Sequence, residues 1–207
     1  MSFEASGALK SASLVLRDRE TDSWWSIMSS DAIGGELEGA DLVELPFASK
    51  TTWKEWVARH PDTRVLSVDG TEHVDSDPYA DYFASDRTFR DLEISDQRLA
   101  PKTPVFAFHL DGVAFAVPHE AFEGGARIPL TDGSGRSLLL FRESGSPLQA
   151  SSRAFLVEPG WVDPPSRPVA ELIRAATEGS TGLESLAGFD TFWYSWIAVN
   201  QESELLR

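Results

Sequence analysis

Residues 51–66 read TTWKEWVARHPDTRVL, and residues 191–206 read TFWYSWIAVNQESELL. At one constant offset Trp53 and Trp56 fall on Trp193 and Trp196, Thr51 on Thr191, Ala58 on Ala198, Thr63 on Ser203 and Leu66 on Leu206. In the first segment Thr52, followed three residues later by Glu55, forms a capping box; this predicts a helix that starts there and runs to about His60, before Pro61. Trp53, Trp56 and Val57 stand three and four residues apart and therefore share one helix face. In the second segment Asp190 is the expected N-cap. A tryptophan face of this kind either packs on a sheet as core or lines a groove that stacks on a ring or sugar. The core reading is preferred, because two units that each leave an apolar face exposed are most simply explained as a duplication that buries both.

Outward from these segments the chain reads mostly as strands. SASLVLRDRETDSWWSI gives a hairpin with a polar turn at 19–22 and with Trp24 and Trp25 on its second strand, and AIGGELEGADLVELP gives two short extended segments punctuated by Gly34, Gly35 and Gly39. TRVLSV after the first helix reads as another strand. The stretch from Asp69 to Lys102 is polar but carries Tyr79, Tyr82, Phe83 and Phe89, which argues for an ordered connection or a lid rather than a solvated tail. PVFAFHLDGVAFAVP is the clearest local signal: two alternating strands around Asp111-Gly112, a favoured two-residue hairpin turn. Further strands continue to about 157 as an antiparallel meander, broken at Asp132-Gly133 and Gly145, and VAELIRAA after Pro168 predicts a short helix.

The expected fold is therefore α+β and mainly antiparallel β, a single domain over residues 1–207. It is built of hairpins from two degenerate repeat units, about 6–68 and 150–207, each ending in a short tryptophan-bearing helix. An aromatic-containing connection, 69–103, and a β-meander, 104–149, join them. The pattern leaves barrel-like closure open.

Charge and composition exclude several function classes. A net charge of −15 opposes binding to a phosphate backbone, whose affinity comes from Lys and Arg displacing counterions, so nucleic acid is not an expected partner. No apolar run approaches the roughly 20 residues that cross a bilayer, and no membrane partner is expected. With 42% hydrophobic residues the chain can bury a true core. It has no cysteine, which removes disulfides, thiolate metal sites and cysteine nucleophiles. The start, MSFEASGALKSASLV, lacks the basic and apolar regions of a secretory signal, so a cytoplasmic location is expected.

The segments SGALKSASLVLRDRETDSWWS, AIGGELEGADLVELP, TTWKEWVARHPDTRVLS, DPYADY, DQRLAPKTPVFAF and FWYSWIA occur in this order over most of the chain. In this they resemble a prokaryotic family known as domain of unknown function 3179. The resemblance implies no particular activity. It also implies, in other members, an upstream strand-rich segment with a pair of cysteines two residues apart. This chain departs there, so no thiol or metal role transfers, and the expectation is either a shortened variant or a start assigned too late; in the second case a leader would change the cytoplasmic expectation. A second chain supplying the missing unit, through a homodimer over an exposed apolar sheet face, is a further expectation.

Candidate site residues come with ordinary structural alternatives. His60 is a candidate base with Asp62, or with Asp18 if folding brings that hairpin close; a histidine at a helix end also caps the last carbonyls. Asp18 and Arg19 are candidates for an ion pair that fixes their turn. Tyr79 and Tyr82 either close over a pocket or pin their loop to the sheet, and Trp53 and Trp193 are the leading groove candidates. HVDSD, residues 73–77, gathers ligand types but lacks the Gly and distal Glu of a calcium loop, and the four histidines form no helical metal pair, so no metal and no cofactor are expected. There is no GxSxG elbow and no phosphate-cradling loop. The reading these features favour is an uncharacterised binding or scaffold domain, with a metal-assisted or acid–base enzyme using His60 and a nearby carboxylate as the alternative.

Overall fold

The computed structural model describes residues 1–43, 50–67, 77–142, 151–162, 167–179 and 182–207. Three four-stranded sheets organise them. The first is a meander of β1 (Phe3–Lys10), β2 (Ser13–Asp18), β3 (Trp24–Ser26) and β4 (Asp31–Gly34), in sequence order. The second is β5 (Pro104–Leu110) and β6 (Val113–Pro118), flanked by β11 (Phe189–Phe192) on the β5 edge and by β12 (Glu204–Leu205) on the β6 edge. The third is β7 (Ala126–Pro129), β8 (Ser137–Phe141), β9 (Arg153–Val157) and β10 (Glu184–Ser185), in spatial order 10-9-8-7. Every strand pair is antiparallel except β12 with β6.

Side-chain alternation stacks the last two sheets face to face. Phe106, Phe108, Phe115 and Val117 point from the β5–β6 hairpin into a cluster with Leu138, Leu140, Ala154 and Leu156 of the third sheet. The intervening residues point the other way, each set toward a helix. Val105, Ala107 and Ala116 meet Trp193, Trp196 and Ile197 of α4 (Trp193–Ile197), and Leu139, Phe155 and Val157 meet Leu172 and Ile173 of α3 (Val169–Thr177). The result is four layers, helix, sheet, sheet, helix. Two alanines on the outer face of the hairpin leave the depth that two indoles need. The first sheet joins this body through the Ser11 hydroxyl, which reaches the Ala198 carbonyl at 3.4 Å, and through the Asn200 amide, which donates to the Met28 carbonyl at 3.3 Å.

Much of the expected order is present. The Asp111-Gly112 turn has both residues at positive φ, 52° and 79°, which matches the twist of a tight hairpin. The predicted helix after Pro168 is α3, and the first tryptophan helix is α1 (Trp53–Arg59). The connection carries a helical turn, α2 (Ala80–Ala84). Four expectations are corrected. The described strands close no barrel, because each sheet keeps two ends. Asp190 is not the N-cap of α4: it lies within β11, and Phe192 holds the cap position. TRVLSV forms no strand over 63–67. Finally, the two tryptophan helices do not sit against equivalent sheets, since α1 has no buried residue whereas α4 buries four of its five. Gly145 and residues 73–76 of the HVDSD stretch lie outside the described residues.

Candidate functional site

The α1 segment is well formed locally. Thr52 Oγ1 accepts from the Glu55 amide at 3.2 Å and Glu55 Oε2 accepts from the Thr52 amide at 3.4 Å, completing the capping box. The His60 amide closes the helix on the Trp56 carbonyl at 2.8 Å, and the Trp56 indole N–H crosses the following turn to Thr63 Oγ1 at 2.9 Å. Around α4 the same two bonds recur. The Asn200 amide donates to the Trp196 carbonyl at 2.9 Å, and the Trp196 indole donates to Ser203 Oγ at 2.7 Å.

Burial separates the two segments. Trp193 and Trp196 are fully buried, while Trp53 and Trp56 are 56% and 40% exposed; Leu206 is 2% exposed, and its counterpart Leu66 is 98% exposed. The positions between the indoles account for the difference. Lys54, Glu55 and Arg59 ring α1 with charge where α4 has Tyr194, Ser195 and Val199, so only α4 is apolar enough on several sides to be enclosed. After α4 the chain continues as β12, and the Leu206 amide donates to the Ala116 carbonyl. Segment 189–206 thus straps the β5–β6 hairpin on both edges and one face.

The other predicted residues are dispersed. His60 is exposed and stacks on Trp56 with ring centroids 4.2 Å apart; among the described residues no carboxylate hydrogen-bonds to its ring, and Asp62 is exposed beside it. Asp18 is fully buried and serves its own hairpin. It accepts from the Thr21 amide at 2.6 Å, the Thr21 hydroxyl at 2.8 Å and the Trp25 indole at 2.8 Å. Burial pushes this carboxyl up, but the Trp25 and Thr21 donors outweigh it and hold the pKa at about 2. Arg19 does not pair with Asp18: its guanidinium reaches Glu4 at 2.8 Å. Tyr82 is half-buried, its hydroxyl 2.8 Å from that of Tyr194 and its ring 3.9 Å from the Lys102 ammonium, and burial followed by the Tyr194 contact raises its phenol. These contacts pin α2 to the body. Tyr79 remains exposed, and Trp193 is enclosed, with Arg98 over its ring and its N–H 3.3 Å from Asp96.

One polar centre was not singled out from sequence. Asp190, buried at the β11 edge, accepts from His119 Nε2 at 2.7 Å, from the Ser152 amide at 2.7 Å and from the Ser152 hydroxyl at 2.5 Å. Burial raises its carboxyl, yet the His119 and Ser152 donors prevail and keep it below the ordinary value. The Lys50 ammonium donates to the Asp190 carbonyl at 2.9 Å, and the Ser151 amide donates to the Lys50 carbonyl at 3.1 Å, which fixes the base of the α1 segment to the same place. The serine hydroxyl faces the carboxylate rather than the imidazole, so the three side chains form no nucleophile–base relay; they tie β9, β11 and the end of β6 together. Among the described residues no group of three His, Asp or Glu side chains is gathered to hold a metal ion, and no helix is long and apolar enough to cross a membrane.

The layered arrangement, with two open sheets between helices and a meander at one side, defines an α+β domain dominated by antiparallel sheet. The chain belongs to the family described as "Protein of unknown function (DUF3179)", whose model matches residues 1–203. No curated protein and no solved structure matches it.

Proposed function

We propose that this chain is a non-catalytic binding or scaffold domain whose contact surface is segment 51–67, with Trp53, Trp56 and His60 at its centre. One observation carries the reading: a capped helix with the same indole-to-hydroxyl bond as α4 holds its two tryptophans in solvent, where α4 holds them in the core. Exposed, rigid tryptophans concentrated on a short element are the composition of an interaction hot spot, not of an ordinary surface. The exposed Tyr79 of the connection is a second contact position in this reading. The acid–base alternative draws no support from the described residues, which give His60 no carboxylate partner.

The test is a photo-crosslinking amino acid placed at position 53 or 56, with position 162 as a more exposed control, followed by irradiation in the native host. The expected result is an adduct of discrete mass from 53 and 56 and none from 162. Equal, diffuse labelling from all three positions would overturn the reading.

A further inference from the structure

Segment 51–67 as the contact surface is the reading on which a further step rests. We propose that α1 of one copy seats on the aromatic connection around α2 of a second copy, and the reverse, in a two-fold dimer. The connection also presents rings to solvent: Tyr79 and Phe83 stand four residues apart at α2 and both are exposed, with Phe89 exposed after them. This surface is held in place. The Tyr82 hydroxyl meets that of Tyr194 at 2.8 Å, the Lys102 ammonium donates to the Ser85 carbonyl at 2.5 Å, and the Phe83 ring lies 6.2 Å from that of Phe192. Arg90 and Asp91, at φ 55° and 54°, form a turn that is costly for residues other than glycine, and the Arg87–Asp91 ion pair at 3.1 Å supports it. Rings fixed in this way lose little side-chain freedom when they are covered.

Charge selects the occupant. On the segment Glu55 and Arg59 offset one another across one helical turn, which leaves Lys54 and Arg64, exposed and unpaired among the described residues, against Asp62. On the connection Asp91 neutralises Arg87, which leaves Asp81, Asp86 and Glu93, exposed and unpaired among the described residues, against Arg90. A chain of net charge −15 repels a second copy over most of its surface, whereas a basic element bearing indoles and an acidic one bearing phenyl rings attract. Geometry supports the two-fold arrangement. Lys50 fixes the base of the segment on the Asp190 carbonyl at 2.9 Å, and Phe83 packs toward Phe192, two residues further along β11. Strand residues at this spacing are roughly 7 Å apart, so both elements are fastened at one end of the same strand. An isologous contact needs its two halves close together on each copy, because a single axis then pairs α1 with the connection twice. Within one chain no hydrogen bond, ion pair or ring contact joins α1 to α2 among the described residues, so each stays open to the other copy.

The experiment is light scattering and sedimentation equilibrium on the full chain and on two charge reversals at exposed sites, Lys54→Glu/Arg64→Glu and Asp81→Lys/Asp86→Lys, with circular dichroism to confirm folding. The wild type is expected at twice the 22.8 kDa chain mass. Each reversal alone is expected to weaken the dimer by at least about tenfold, because like charges then face one another in both contacts. An equimolar mixture of the two reversals is expected to recover the wild-type affinity, since unlike chains place opposite charges in both contacts at once. A wild type that stays monomeric at roughly 100 µM, a concentration that would populate micromolar contacts, overturns the dimer. So does a dimer that either reversal leaves unchanged, or one that the mixture fails to recover. A monomer that still gives a discrete foreign adduct from position 53 overturns the dimer alone and leaves the contact surface standing; diffuse labelling removes both.

Discussion

Trp196→Ala and Trp56→Ala replace residues that align at one offset and make the same hydrogen bond, yet they are expected to differ several-fold in cost. A tryptophan ring presents about 150–250 Å², which at about 25 cal/mol per Å², reduced by the 10–40% already covered in the unfolded chain, gives about 4 kcal/mol for full burial. This falls within the range of about 3–5 kcal/mol seen when buried aromatic residues are truncated. Trp196 meets that condition, touching Val105, Ala107 and Ala116 in its cluster, and its loss also takes the indole donor from the buried Ser203 hydroxyl. Trp56 meets only His60 and its own turn and stays 40% exposed, so its truncation is expected to cost about 1 kcal/mol or less. Urea unfolding of the two variants under conditions that keep the chain monomeric reads the difference. With a slope of about 2 kcal/mol per M, Trp196→Ala moves the midpoint by about 2 M and Trp56→Ala by about 0.5 M or less. Equal shifts would refute the assignment of one helix to the core and the other to the surface.

Asp190→Ala leaves the His119 ring N–H and both Ser152 donors buried without their acceptor, at about 1–3 kcal/mol each; a urea midpoint unchanged from wild type would remove this centre from the account. Asp18 sits at about 2 in the folded chain against about 3.9 unfolded, so its contribution is complete above the unfolded value and is lost as pH falls through the folded one. Asp190 has the same sign. The advantage of wild type over Asp18→Asn should therefore shrink in unfolding curves taken from pH 5 down to pH 2, and a constant gap would contradict the burial of an ionised carboxylate. Gly35 has φ +95° and faces Ser23 Cα, which a Cβ would approach to 2.5 Å; Gly35→Ala should cost about 2–5 kcal/mol from strain and overpacking. Gly133→Ala, with positive φ but open space, should cost only about 1 kcal/mol. Thermal unfolding that ranks these two glycine variants the other way would place the turn after β4 wrongly.

What was legible in the sequence was local. The Thr52–Glu55 capping box, the Asp111-Gly112 turn, the 126–157 meander and the helix after Pro168 are set by neighbours within a few residues, and each appears where its pattern placed it. The equivalence of the tryptophan segments was also legible as far as their own hydrogen bonds reach. Their environments were not, because matching indoles drew attention from the charged residues between Trp53 and Arg59. The Asp190 centre was missed for a different reason: its partners lie 71 and 38 residues away, and only pairing of β5 with β11 brings them together. A usable signal existed in His119, the one histidine placed directly after a fully apolar strand end, Phe115–Pro118, where a polar ring needs a partner. Asp190 itself read as an N-cap because Asp before a helix pattern usually is one; the two strand residues between it and Trp193 were invisible without the sheet.

Selective tryptophan labelling with 2-hydroxy-5-nitrobenzyl bromide, read by peptide mass spectrometry at a dilution where the chain is monomeric, tests the central claim most directly. Rapid modification of Trp53 and Trp56 with protection of Trp193 and Trp196 is the predicted result. Protection of all four rings in the folded monomer, or modification of the C-terminal pair at the same rate, would contradict it.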